Sequence, residues 1–113
     1  MMTHQEIVKM IEEIGIPSAY DHFVEGESPE PPFLVYLYPN SDNFAADGVT
    51  YFKANEVNIE LYTDIKNLTV EQQVEAVLDK YGIFYERSEV WISSEKLYEV
   101  MYTFEMEVWD YGK

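Results

Sequence analysis

The sequence predicts an α+β fold in which an antiparallel or mixed sheet of about five strands carries two helices on one face, in the order α-β-β-β-α-β-β. Val57, Ile59 and Leu61 alternate strictly with polar residues, as expected for a half-buried strand. A second alternating run, residues 98–108, is the expected partner strand. Two further segments have apolar residues at helical spacing and end at a glycine. A single domain over residues 1–113 is expected from the chain length.

The first helix is predicted over about residues 4–14. Thr3 and Glu6 have the spacing of a capping box, which satisfies backbone donors at a helix start and contributes on the order of 1 kcal/mol. An apolar stripe at helical spacing follows, formed by Ile7, Met10, Ile11 and Ile14. Gly15 can adopt the left-handed conformation and Pro17 cannot continue a helix, so the helix should end there.

The middle of the chain is predicted to form strands separated by a linker and a loop. Residues 18–24 have the composition of a short strand, and residues 25–32 hold three of the five prolines, which indicates an exposed linker. Residues 33–38 are continuously apolar, as expected for a central strand buried on both faces. A hairpin should pair them with a strand over residues 49–63.

Residues 39–48 have turn chemistry and are expected to form a long, mobile loop. Asp47 followed by Gly48 is a hairpin-turn signal, and Phe44 lies in the middle of the loop. Such a loop can offer a partner surface or pack internally, and the sequence leaves both open. The candidate partner-contact residues are Phe44, Asp47 and Tyr51.

The second helix is predicted to begin near Thr69, which has a capping-box spacing with Gln72, and to stop at Gly82. Its apolar stripe consists of Val70, Val74, Val77, Leu78 and Tyr81, whereas Glu71, Glu75 and Asp79 should face water. A strand over residues 83–92 and a turn over residues 93–96 should lead into the last strand.

The charge balance limits the classes of partner. The chain has 22 acidic and 7 basic residues, a formal net charge of −15, and the basic residues are scattered singly. Nucleic-acid binding needs clustered Lys and Arg, so no direct affinity for nucleic acid is expected, and anionic membranes are disfavoured for the same reason. The acidity fits a soluble surface, a surface that DNA passes without binding, or a mimic of DNA.

No catalytic, cofactor or metal site is predicted, so an enzyme is not expected. The chain has no cysteine, no glycine-rich phosphate loop and only two histidines. Asp21 and His22 are neighbours on a predicted strand, so their side chains should point to opposite faces, and His4 should be a solvated residue of a first helical turn. The run from Asp42 lacks calcium ligands at its third and fifth positions. Asn67 lies in a glycosylation pattern but is more simply a helix cap.

The chain shows no readable targeting segment. Its N-terminal residues, Met-Met-Thr-His-Gln-Glu, lack a basic segment followed by an apolar run. No window approaches the roughly 18 apolar residues of a membrane-spanning helix. We therefore expect a soluble protein of the cytoplasm.

Five stretches of the sequence carry a resemblance to a known family when they are taken together with the order of the elements. They are Asp-Gly-Val-Thr-Tyr at residues 47–51, Val-Asn-Ile-Glu-Leu-Tyr-Thr at 57–63, Glu-Gln-Gln-Val-Glu at 71–75, Glu-Lys-Leu-Tyr at 95–98 and Tyr-Thr-Phe at 102–104. The chain resembles small prophage proteins of Gram-positive bacteria that are encoded among head–tail joining genes. These proteins are similar to the tail terminator, or tail-completion, proteins of long-tailed phages.

The resemblance implies a structural subunit that closes into a hexameric ring, caps the tail tube and receives the head connector. The implied partners are other copies of the chain, the tail tube and the head-connector proteins. Such a protein would assemble in the cytoplasm of the bacterial host and remain in the virion. An acidic lumen would let DNA pass without binding. The excess negative charge would make a ring repel itself unless Lys and Arg lie at the contacts, and edge strands are the natural interface.

Two other functions stay open at this point. An acidic inhibitor that mimics DNA and occupies a basic groove on a host protein would concentrate its carboxylates on one exposed face. In this sequence they alternate through strands and helices. A small-ligand-binding domain would show a deep apolar pocket around His22.

Overall fold

We describe the fold from a computed structural model, which describes residues 2–39, 41–46 and 49–112, with side chains described for 2–39 and 53–109. The described residues form two helices and seven strands. They are β1 (Met2–Thr3), α1 (His4–Glu13), β2 (Ser18–Tyr20), β3 (Phe33–Leu37), β4 (Ser41–Ala46), β5 (Val49–Thr63), α2 (Leu68–Lys80), β6 (Glu86–Ile92) and β7 (Leu97–Gly112).

The strands form one mixed sheet, which confirms the predicted α+β class. Its main path runs β1-β7-β5-β3-β2, with β4 added along β5 and β6 added along β7. The β1–β7 and β2–β3 pairs are parallel, and the other pairs are antiparallel. The predicted partner strands are confirmed, because Ile59 lies opposite Tyr102 and Leu61 lies opposite Val100.

Both helices pack on the same face of this sheet. Their buried residues form one core cluster with the inward row of β5, where Val57, Ile59 and Leu61 have no exposed surface. Burying a side chain of this size contributes about 1.5–3 kcal/mol. The helices also contact each other, since the Gln73 side-chain amide donates to the carbonyl oxygen of Ile14 at 2.6 Å.

The helix ends confirm most of the sequence signals. Thr3 Oγ1 accepts from the backbone N–H of Glu6 at 3.1 Å, and the Glu6 carboxylate accepts from the backbone N–H of Thr3 at 3.0 Å. The capping box predicted at Thr69 is wrong, because Asn67 is the cap and its Oδ1 accepts from the N–H of Val70 at 3.1 Å. The prediction that Asn67 is a helix cap is thereby confirmed, and α2 begins at Leu68, one residue before Thr69. Gly15, with φ +80°, follows α1 as predicted.

Two predicted strands are shorter than expected. The strand predicted over residues 18–24 ends at Tyr20, because Asp21 has φ +63° and the chain leaves the sheet there. The strand predicted over residues 83–92 begins at Glu86. Ile83 lies just after α2 and caps its C-terminal end, since its N–H donates to the Leu78 carbonyl at 3.0 Å.

The long, mobile loop predicted at residues 39–48 is wrong for most of its length, because Ser41–Ala46 forms strand β4. β4 continues the register of β3: Leu37 lies opposite Asn58, and Ser41, four residues later, lies opposite Ala54, four residues earlier. The hairpin predicted between residues 33–38 and β5 is therefore confirmed and extended. Pairing along the length of β5 overrides the turn-like composition of this segment.

Replacing Ile59 with alanine should lower the free energy of unfolding by about 2–5 kcal/mol, because the change leaves a cavity beneath the helices. Urea denaturation followed by circular dichroism measures this loss. Val90 is 50% exposed, so the control Val90→Ala should cost about 0.5 kcal/mol or less. Equal losses in the two variants would contradict the placement of both helices over this row.

Candidate assembly surface

The two longest strands, β5 and β7, continue past a bulge and form an arm together with β4. We define the β-arm as residues 41–46, 49–54 and 108–112, which pair as three strands. Its base is anchored by Ala54 and Val108, which lie opposite each other and are fully buried. The molecule measures 49 × 33 × 21 Å, so it is elongated. An elongated arm with a free outer edge on β4 is suited to contacts with a neighbouring molecule.

The structure brings two of the three candidate partner-contact residues together in this arm. Phe44 lies directly opposite Tyr51, and Tyr51 lies opposite Tyr111. The three positions form one row across the three strands. Asp47 lies outside the described residues. Phe44 and Tyr51 therefore lie at fixed positions on paired strands, and Phe44 does not lie in the loop that the sequence predicted for it.

A β-bulge separates the arm from the core part of the sheet. Ala54 lies opposite Val108, whereas Glu56 lies opposite Glu105, so two residues of β7 face one residue of β5. A bulge bends its strand and increases the local twist. The strands of the arm are therefore bent and twisted relative to the part of the sheet that carries the helices.

The opposite end of the sheet has a second open edge. β6 pairs with β7 only, and along β6 the side chains of Val90 and Trp91 are 50% and 47% exposed. The edge also carries Glu86, Arg87 and Glu89, and charged side chains on an edge strand oppose uncontrolled pairing. Among the described strands, β6 thus offers an unpaired edge on the body of the sheet and β4 offers one on the arm.

An ionic cluster fixes β6 to α2. Glu71 is only 4% exposed, and its carboxylate accepts from Arg87 and, at 2.7 Å, from Lys66. The prediction that Glu71 faces water is therefore wrong. Both cations also contact Glu89, with Arg87 Nη2 at 2.9 Å from its carboxylate. The hydroxyl of Tyr102 donates to the Glu75 carboxylate at 2.7 Å.

The cluster is electrostatically well matched. Burial alone would lower the pKa of Arg87, but hydrogen bonds to Glu71 and Glu89 outweigh it and raise the pKa. Hydrogen bonds from Lys66 and Arg87 hold the pKa of Glu89 below its usual range. Arg87 and Glu89 therefore stay ionised at neutral pH, and the cluster acts as a fixed joint between β6 and α2.

The sheet face opposite the helices carries a different carboxylate arrangement. The Tyr62 hydroxyl lies 2.9 Å from Glu60 Oε1 and 2.7 Å from Glu99 Oε2, and it can donate its single proton to one of them at a time. Burial raises the pKa of Glu60, the hydrogen bond from Tyr62 partly offsets this, and the charge of Glu99 adds to it. The carboxyl group of Glu60 therefore holds a proton more readily than an exposed carboxylate would.

Both histidines differ from their predicted environments. His22 Nδ1 lies 2.9 Å from the carboxylate of Asp21, because β2 ends before these residues and they do not alternate across a strand. Both side chains are largely exposed. His4 is partly buried, with Nδ1 2.6 Å from the hydroxyl of Tyr38, so it is not simply solvated.

The described part of the chain shows neither a metal cluster nor a membrane helix. Within it, no group of three or more His, Asp or Glu side chains is placed to hold a metal ion. Neither described helix is long and apolar enough to cross a membrane. A comparison with protein-family models gives no match, and a comparison with curated protein sequences gives none either.

Replacing Glu60 with glutamine should stabilise the protein at neutral pH and make no difference at low pH. The pKa of Glu60 is raised above its ordinary 4.5 on folding, so its contribution to stability is present at low pH and is lost as pH rises through that raised value. Thermal unfolding between about pH 3 and pH 8 measures the effect. Glu95→Gln, in the exposed turn after β6, is the control. A Glu60→Gln variant that is less stable at neutral pH would contradict this account.

Replacing Glu71 with alanine should lower the free energy of unfolding by about 1–3 kcal/mol, because Lys66 and Arg87 each lose a buried partner. Urea denaturation measures the loss. Glu13 pairs with Lys80 at 3.0 Å on the surface, so Glu13→Ala is the matched control and should cost clearly less. Equal losses would show that the cluster does not fix β6 to α2.

Proposed function

We propose that the chain is a structural subunit of the head–tail junction of a long-tailed phage, a tail terminator-like protein that forms a ring on the tail tube and joins it to the head connector. The observation that carries the proposal is the β-arm, which continues β5 and β7 past the bulge and, among the described strands, leaves the outer edge of β4 unpaired. The resemblance of the sequence to head–tail joining proteins supports the same reading.

The unpaired edges of β6 and β4 suggest how subunits would meet. Among the described strands, β6 is unpaired on one side on the body of the sheet and β4 on the arm, so the two edges lie on different elements. A contact between two different patches is heterologous, and it closes into a ring where the rotation from one subunit to the next divides a full turn. In this arrangement the arm of one subunit reaches the body of the next, or the tail tube below it.

The charge of the chain shapes the assembly. Lys53, Lys66, Lys80 and Arg87 are all engaged in ion pairs within the subunit. Few basic side chains remain to neutralise a neighbouring copy, so strand pairing and apolar contacts have to hold the ring together against the repulsion of its excess carboxylates. The same carboxylates would keep DNA from binding as it passes the ring.

Assembly should depend on ionic strength. Light scattering after size exclusion is expected to show more ring at high salt than at low salt, because screening weakens the repulsion between acidic subunits. Hexamer mass at either salt supports the ring directly. A strict monomer at both salts, with no binding to tail tubes, would contradict the proposal and favour the acidic inhibitor.

Replacing Phe44 or Tyr51 with alanine should reduce ring formation or binding to tail tubes without unfolding the subunit, because both positions lie in the arm, on the far side of the bulge from the row of β5 that the helices cover. The assay is the mass of the assembled species beside the circular dichroism spectrum. Ile65→Ala is the control, since Ile65 is 66% exposed in the connection before α2. Unaffected assembly in both arm variants would remove the arm from the contact.

A further inference from the structure

The edge of β7 has a gap between its two partners on the side away from β5. β6 ends its pairing with Glu86 opposite Thr103, and β1 begins with Met2 opposite Val108. Residues 104–107 therefore have no strand partner on this side within the described part of the chain. Four residues of strand span about 13 Å. An open edge of this length is a template for an added extended segment.

A groove lies along this gap. Two adjoining depressions of about 540 and 480 Å³ share Glu56 and Glu105 in their walls. We call the combined depression the edge groove; its walls include Glu56, Phe84, Glu86, Glu105, Met106 and Glu107. The bulge of β7 lies in its floor, where Met106 and Glu107 face Asn55. Bulges are frequent where a sheet ends its pairing or redirects side chains toward a ligand.

The groove carries an apolar anchor. Phe84 is 90% exposed, more than any other large apolar residue among those described. It precedes β6 and lines the groove beside Phe104, which is buried. Covering such an exposed phenyl ring with a partner removes apolar surface from water, which favours binding.

The charge of the groove specifies the partner. Glu86 and Glu105 line the groove as exposed carboxylates. Glu107 has Lys53 at 3.4 Å, but no described Lys or Arg lies within 4 Å of Glu86 or Glu105. Four of the seven basic residues are already paired within the chain, so a second copy is poorly supplied with free cations. A different protein with its own basic residue fits better.

We propose that the edge groove binds a short extended segment of another protein that carries a lysine or arginine next to an apolar side chain. The segment pairs its backbone with residues 104–107 of β7. Its apolar side chain covers Phe84, and its cation lies against the carboxylate of Glu105. The groove is formed within one subunit, so this inference goes beyond the ring and does not depend on it.

Binding is tested with a labelled peptide of alternating lysine and leucine, measured by fluorescence anisotropy with the full chain at about 0.15 M salt. Glu105→Gln should weaken binding about fivefold or more, whereas Glu95→Gln, the same change in an exposed turn, should weaken it less than about twofold. Phe84→Ser should weaken it similarly, and Ile65→Ser should not. Backbone amide shifts on titration should centre on residues 104–107.

The stability of the variant gives an independent readout. Glu105 is exposed, so the urea midpoint of Glu105→Gln should stay close to that of the unchanged protein while its affinity for the peptide falls. Loss of binding through misfolding would lower both the midpoint and the affinity.

Three results would overturn the inference. Equal weakening by Glu105→Gln and Glu95→Gln would mean that the general acidity of the chain attracts the peptide. Amide shifts away from β7 would place the contact elsewhere. A change in self-association caused by Glu105→Gln would make a second copy the occupant. Light scattering on the same samples separates this test from that of the ring, since a subunit that forms no ring can still bind the peptide.

Discussion

The pairing of β5 with β7 is the constraint on which the rest of the structure depends. It runs from Thr63 opposite Tyr98 to Thr50 opposite Gly112, with one bulge on the way. A shift of register by one residue would send every side chain to the other face, and the burial of Ile59 beneath the helices excludes such a shift. The arm lies on the same two strands, and the bulge shifts its register by one residue from that of the core. The core register and the bulge together therefore determine which arm residues lie opposite each other.

The sequence predicts the parts of this fold whose signals are local. Alternation in β5, the capping box at Thr3 and the glycine after α1 each act within a few residues of the chain. The strand β4 was missed because its Ser, Asn and Asp residues favour turns, and only its pairing with β5 makes it a strand. Of the candidate site, the sequence singled out Phe44 and Tyr51 but not their shared row. That row exists only once the hairpin is in register.

The buried position of Glu71 shows a second kind of limit. On a helical wheel this residue falls outside the apolar stripe, so periodicity assigns it to water. Its partners are Lys66, before the helix, and Arg87, on a strand that follows it. A carboxylate can be buried where such cations meet it, and their meeting is a property of the tertiary structure. The cluster also draws two of the few cations of the chain to one joint, which leaves other acidic surfaces without them.

Neighbouring carboxylates of this fold differ in whether the same chain supplies their partners. Those with such partners are structural. Glu71 and Glu89 share two cations, and Glu60 and Glu99 share the hydroxyl of Tyr62. Both arrangements are resolved by groups of the same chain. At the edge groove, Glu105 instead has no described Lys or Arg within 4 Å, and it lies beside an exposed aromatic ring and residues of β7 that have no described strand partner. A partner that supplies a cation, a strand and apolar cover would satisfy all three features.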